Sequence, residues 1–342
     1  MSKRISENEI LTGGVKIGKY TKPMSFMLNI EDTRLATDEE KASRVKMRES
    51  TTYWQDARKR FMKNKVALAS LFIILLIALF AIIGPLISPY TYEQQIRGSE
   101  RLAPCYAHPF GTDNLGRDLL VRTMIGTRIS MSVGVFCSLI VLVIGTTVGA
   151  VSGYVGGMFD NIVMRFCEFL YSVPDILIII ILQISLKSFL DSTFPRLTLG
   201  TAMVSILVAF AILYWVNMAR MVRGQMLSLK QQEYVLAAKA MGASGGRIIR
   251  LHLLPNAVGT IIVTAMFQIP AAIFTESFLS FMGLGASAPM ASLGSLANNA
   301  LSGLNSYPYL MFFPALIIAI LIFAFNQFGD GLRDALDPRL KE

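Results

Sequence analysis

Val66–Ile87 is one unbroken run without an ionisable side chain, and Leu310–Phe325 is another. About 20 apolar residues in helical form cross the hydrocarbon of a bilayer. Inside that hydrocarbon every backbone N–H and C=O must be satisfied within the segment itself or in a closed barrel. Runs of this length therefore commit the chain to membrane-spanning helices. Only 16% of its 342 residues are charged and 53% are hydrophobic, where a water-soluble domain carries about 25% charge. The expected fold class is all-α and polytopic, with a core that lies between helices.

Hydropathy places six spans, at about Val66–Ile87, Ile129–Val151, Val163–Leu186, Leu197–Met218, Ala257–Met282 and Tyr309–Phe328. An even number returns the C-terminus to the side of the N-terminus. The net charge of +9 is read as topology rather than as a nucleic-acid surface, because nearly half of the 32 Lys and Arg precede the first span, and such residues collect on cytoplasmic segments. The run Arg58, Lys59, Arg60, Lys63 and Lys65 is placed to touch anionic lipid headgroups. The loop between the fourth and fifth spans, residues 219–256, is also basic, and the outer loop Gly283–Ser306 carries no charge. The first outer connection, residues 88–128, fits poorly: it holds Arg97, Arg101, Arg117, Arg122 and Arg128.

Residues 1–50 read as a polar cytoplasmic tail. Gly13–Tyr20 has the Gly and Lys spacing of a phosphate-binding loop, but Tyr20 stands where a hydroxyl for Mg²⁺ is needed, and Pro23 interrupts the helix that should follow. Residues 51–65 are amphipathic, with Tyr53, Trp54, Ala57, Phe61 and Met62 opposite the basic side chains, as in a helix lying at the membrane surface. Residues 329–342 form a C-terminal cytoplasmic tail. The three cysteines imply no disulfide framework, Cys105 and His108 are two ligands short of a metal site, and no catalytic constellation assembles from two histidines. Acids inside spans are costly and mark a path or a partner. Asp175, deep in the third span, and Glu276, near the outer end of the fifth, are the translocation-path candidates. Gly145, Gly149 and Gly153 share one helix face that admits close approach, either within the subunit or from a second one.

The loop of residues 219–256 is the most informative stretch. Gln231–Met241 is Ala-rich and free of breakers. Tyr234, Ala237, Ala238 and Met241 recur at i, i+3, i+4 and i+7 and form one apolar stripe with small residues at its centre. Gly242 can take the left-handed conformation that ends a helix. Arg247–Leu254 suits a second short helix, with Pro255 marking re-entry into the membrane. A short helix with a small-residue face suits a groove on another protein.

Leu236-Ala237-Ala238, then Gly242 after three residues and Leu254-Pro255 further on, resembles the EAA motif of permease subunits in binding-protein-dependent ABC importers. Leu236 replaces the motif's Glu and His252 its Ile, so any ion pair falls to Glu233, one turn earlier. Further stretches are similar to the dipeptide and oligopeptide permease C subunits. These are His108–Asp118, Glu276–Gly285, Gly329–Arg339 and the first helix and span, Tyr53–Gln94. The resemblance implies a type I ABC importer permease in a bacterial cell membrane, half of a peptide pathway. Its partners would be a second homologous permease, two ABC ATPases that hold ATP and Mg²⁺, and an external solute-binding protein. This chain itself would need no cofactor and would not be an enzyme. The coupling residues would be Glu233, Tyr234, Ala237, Ala238, Met241, Gly242, Leu254 and Pro255. Nickel chelates and other small solutes are alternative cargoes, and an ion-driven secondary transporter is the alternative class.

Overall fold

The computed structural model describes residues 52–194, 200–285 and 290–337. The tail of residues 1–50, the Gly13–Tyr20 stretch and the last residues of the C-terminal segment lie outside the described residues. All the named elements are helical. They are α1 (Tyr53–Lys63), α2 (Lys65–Ile82), α3 (Gly84–Ile87), α4 (Leu119–Val155), α5 (Gly157–Tyr171), α6 (Asp175–Thr193), α7 (Thr201–Leu213), α8 (Trp215–Leu229), α9 (Glu233–Ala240), α10 (Gly245–Ile248), α11 (Leu254–Phe281), α12 (Leu293–Ala300) and α13 (Tyr309–Leu336). Among the described residues, six segments are long and apolar enough to span a membrane: Lys65–Ile87, Leu119–Val155, Asp175–Thr193, Thr201–Leu229, Gly245–Phe281 and Tyr309–Leu336.

The count of six agrees with hydropathy, but the second span starts at Leu119, inside the expected outer loop 88–128, and the sixth runs on to Leu336, so that the expected tail from residue 329 is helical through Leu336; three further boundaries move for identifiable reasons. The expected third span, Val163–Leu186, is two helices. Proline removes a backbone donor and pushes the residue before it out of the helical region. Pro174 accordingly separates α5 from α6, sitting at φ −53° and ψ 125° as the N-cap of α6. The fourth span continues through α8 to Leu229, past the expected end at Met218. The fifth begins at Gly245, so the expected short helix Arg247–Leu254 is the first part of the span rather than a separate element. The join is a π-helical turn, Ile249–Leu253, in which the Leu254 N–H bonds to the Ile249 carbonyl five residues back. That widened turn lies directly before Pro255, which has no N–H to continue an α ladder.

The helices assemble through side chains that fix register. Ser130 and Ser138 of α4 meet Glu276 and the Ala265 carbonyl of α11, so these two run antiparallel. Gly331 of α13 packs on Ala67 of α2. One end of the bundle therefore carries residues 88–118 and α12, and the other carries α1, α5 and α9. A Cβ on Gly145 would lie 2.5 Å from Met218 Cβ, on Gly149 2.4 Å from the Ala219 carbonyl oxygen, and on Gly153 2.7 Å from Met226 Cβ. The glycine face thus receives α8 of the same chain. Around this contact the core gathers Val141, Ala150, Phe210, Met218, Val222 and Met226.

At the first end, residues 88–118 fold around Asp113 and Asp118. The Asp118 carboxylate accepts from the Val121 N–H at 2.8 Å, capping α4, and from the buried His108 ring at 2.7 Å. Asp113 pairs with Arg117 at 2.7 Å and faces Arg122 at 3.4 Å. Arg128 donates to the carbonyls of Ala81 and Ile82 at the end of α2. The arginines that disturbed the topology count are thus mostly structural, spent on internal partners. The chain also forms α12 within Gly283–Ser306, which hydropathy read as a plain loop. Its start is a Ser292–Ser295 capping box, a weaker form of the Ser-x-x-Glu signature.

Candidate functional site

α9 is the only short helix among the described residues between the fourth and fifth spans, and it occupies Glu233–Ala240, slightly less than the expected Gln231–Met241. Glu233 in its first turn and Lys239 in its last complement the helix dipole. It ends in a paired left-handed cap. The Ala243 N–H bonds to the Ala238 carbonyl at 3.0 Å and the Gly242 N–H to the Lys239 carbonyl at 2.9 Å, with Gly242 at φ +82°. A Cβ there would meet nothing within 4 Å, so the requirement for glycine is conformational. Gly242→Ala is expected to cost about 1 kcal/mol locally. Hydrogen exchange of the α9 amides should then speed up about fivefold.

The sequence stripe divides between two faces. Ala238 is only 2% exposed and lies with Val235, Ile248 and Leu253 in the main core. It points into its own subunit rather than outward, a correction to its reading as a contact for a partner. Tyr234, Leu236, Ala237 and Met241 face outward, and Met241 is 82% exposed. Leu254 packs against the core, while Pro255 and Glu233 are exposed. The outward face of α9 is therefore wider and more apolar than the sequence pattern gave reason to expect. Leu236, which replaces the motif's acid, contributes to it.

A set of residues that sequence spacing did not reveal anchors this helix. Arg223 of α8 forms a two-pronged bond to the Asp160 carboxylate of α5 at 2.6 and 2.5 Å, and Ser152 of α4 donates to the same carboxylate at 2.5 Å. The guanidinium holds the Asp160 carboxyl below its ordinary value, against the opposing effect of burial. Lys230 donates to the Gly153 carbonyl at 2.9 Å, and Lys239 of α9 lies 5.5 Å from the Tyr154 ring centre. A Cβ on Gly245 would sit 2.8 Å from the Tyr154 ring. The ends of α4 and α8, the start of α10, and α5 and α9 are thus tied into one block. Asp160 and Arg223 are 63 positions apart, so only the fold brings them together.

The two path candidates fare differently from expectation. Asp175 is the first residue of α6, exposed, and its carboxylate accepts from the next N–H at 2.9 Å. It is not deep within a helix. Glu276 is wholly buried, and the hydroxyls of Ser130 and Ser280 donate to its two oxygens at 2.7 Å each. It lines no open path in this conformation and instead joins α4 to α11. Nothing gathers these two acids into one site. Among the described residues, no group of three or more His, Cys, Asp or Glu side chains is placed to hold a metal ion.

Comparison with known families agrees with this architecture. The model described as binding-protein-dependent transport system inner membrane component matches residues 145–342. The N-terminal TM domain of oligopeptide transport permease C matches residues 52–104. The dipeptide transport system permease protein DppC of Bacillus subtilis is 47% identical over 317 residues, covering 92% of this chain and 93% of its own. The oligopeptide transport system permease protein OppC of the same organism is 45% identical, covering 90% and 95%. The OppC protein of Escherichia coli is 43% identical, covering 85% and 93%. α9 and its whole anchoring block lie inside the larger match. The chain belongs to the family of inner membrane components of binding-protein-dependent transport systems.

Proposed function

We propose that this chain forms half of the pathway of an ATP-driven peptide importer, and that α9 is where a partner ATPase engages it. The observation that carries the coupling role is the division of α9. Its outer face, with Tyr234, Leu236, Ala237 and Met241, is largely apolar and exposed. Its inner face is locked into a block that reaches three spanning helices. A force applied outside is passed to the spans as a rigid-body movement, the form that such transitions take. A second homologous permease would complete the pathway, a solute-binding protein would deliver cargo, and two ATPases would hold ATP and Mg²⁺. Peptide cargo is supported by the names of the relatives at 43–47% identity.

The charge pattern supports an orientation with both termini in the cytoplasm of a bacterium. α1 is strongly basic, and it docks on the last helix through Tyr53 to the Leu336 carbonyl at 2.9 Å and Arg60 to the Asp337 carbonyl at 3.0 Å. At the opposite end Arg117, Arg122 and Arg128 have internal partners, so they count less against the positive-inside rule.

The test uses the exposed face, because a substitution at buried Ala238 would damage the fold itself. Met241→Asp and Ala237→Asp are expected to lower peptide uptake by the assembled complex about tenfold or more, the scale of losing an interface anchor. The amount of chain in the membrane is expected to stay the same. Uptake at the unmodified level from both variants would exclude α9 as the coupling element. Normal ATP-driven uptake of nickel chelates with no uptake of peptides would replace the cargo.

A further inference from the structure

Where a span meets lipid its exposed side chains are apolar, as on α2 with Phe72, Leu75, Leu76 and Leu79. α8 and α11 depart from this along one face each. On α11, Thr260, Thr264 and Gln268 follow one another at i+4 and are exposed or half-buried, while Ile261, Ala265 and Ile269 beside them are buried. On α8, Asn217, Arg220 and Gly224 are exposed, while Met218, Val222 and Met226 pack in the core. Polar and charged side chains within a span face a cavity or a partner rather than lipid.

The two faces meet at Tyr214, directly before α8. Gln268 Nε2 donates to the Tyr214 carbonyl at 3.4 Å, and the Tyr214 and Thr275 hydroxyls bond at 2.8 Å. The other border of the α8 face is the break between α5 and α6. There the Tyr171 hydroxyl bonds to Asn217 Oδ1, and the Arg220 guanidinium lies 3.8 Å over the Tyr171 ring. Asp175, at the start of α6, is level with Asn217. Each stands about 24 Å of helix from the contact of Asp191 with Thr201 that joins α6 to α7. Neither Arg220 nor Asp175 has an ion-pair partner among the described residues. A polar seam thus runs from α6 across α8 to α11.

We infer that this seam is the wall this chain gives to the cargo path, open to water and followed by the peptide backbone. Lipid against the seam would strand Arg220 and Asp175 away from water, and so would a second permease packed dry upon it. The hydroxyl and amide groups of Asn217, Thr260, Thr264 and Gln268 can bond the N–H and C=O groups that every peptide carries, whatever its side chains. The acid and the guanidinium border the same stretch, so the wall favours neither anionic nor cationic cargo. The inference rests on the peptide-import reading and deepens it, since it names the surface along which cargo moves.

Single cysteines test the wall in the complete complex in liposomes. The parent is a Cys105→Ser chain, because Cys105 is exposed while Cys137 and Cys167 are buried. A charged thiol reagent, present on both sides, attacks thiolate and so reacts where water reaches. It is expected to label Thr260→Cys and Thr264→Cys about tenfold or more faster than Phe72→Cys on α2. Complete labelling at Thr264→Cys is expected to stop peptide uptake, and the same treatment to leave uptake by the parent unchanged. A Thr264→Cys rate equal to that of Phe72→Cys puts the seam in lipid or in a dry contact and overturns the wall. Uptake that persists after complete labelling at Thr264→Cys overturns it as well. Fast labelling, with a parent complex that takes up another cargo and no peptide, keeps the wall and removes the peptide reading itself.

Discussion

Arg223→Ala is expected to lower the stability of the folded chain by about 2–3 kcal/mol and to uncouple the α9 block. Stranding one partner of a buried ion pair typically costs about 3–5 kcal/mol, because the remaining charge has lost both its water and its partner. The Asp160 side chain is 8% exposed and that of Arg223 31%, so solvent softens the loss toward the lower figure. Asp160→Asn with Arg223→Ala removes both charges and is expected to cost less than Arg223→Ala alone. Thermal unfolding in detergent of the four proteins of a double-mutant cycle measures the coupling. An Arg223→Ala loss below about 0.5 kcal/mol, in the range of an ordinary surface pair, would contradict the anchoring role. The same pair sets a pH dependence. The Asp160 carboxyl is held below its ordinary 3.8 by the guanidinium. Its stabilising contribution is therefore complete above about pH 4 and is lost as pH falls further, through the depressed value. Between pH 5 and 8 this pair is expected to contribute a constant amount.

Gly149→Val is expected to prevent α4 and α8 from closing, with a loss of about 3 kcal/mol or more, the upper range for overpacking. A Cβ at this position would lie 2.4 Å from the Ala219 carbonyl oxygen and 2.9 Å from Val222 Cβ. The first contact is with backbone, which cannot rotate away as a side-chain end can. The whole helix must move, and with it the Gly145 and Gly153 contacts in the same seam. Gly224→Ala on α8 is the control. Nothing lies within 4 Å of its Cβ, so it is expected to be neutral or to stabilise by up to about 1 kcal/mol through helix propensity. Folded chain recovered from membranes and its melting temperature separate the two. If Gly149→Val melts normally but fails to join a second permease, the glycine face serves an interface between subunits instead.

Two earlier features show where sequence patterns stop. The stripe of Tyr234, Ala237, Ala238 and Met241 was legible from its period, yet the period alone could not say how wide a face the helix exposes. An eight-residue helix can bury either flank of such a stripe. The flank holding Val235 and Ala238 is buried because it joins the main core with Ile248 and Leu253. Asp175 was legible as an acid in an apolar stretch. Its place at the start of a helix followed from Pro174, a local signal that a sliding hydropathy average smooths over.

The sequence by itself determined the six spans, the helix between the fourth and fifth, and the glycine that ends it. Each of these depends on residues within a few positions of one another, through hydropathy over about 20 residues or through backbone conformation at one residue. Only the tertiary structure decided that Gly145, Gly149 and Gly153 receive α8, that Asp160 meets Arg223, that Glu276 is held by Ser130, and that Gln268 meets Tyr214. These are contacts between positions dozens to more than a hundred residues apart. No local preference specifies them, because each arises from which helix faces pack together.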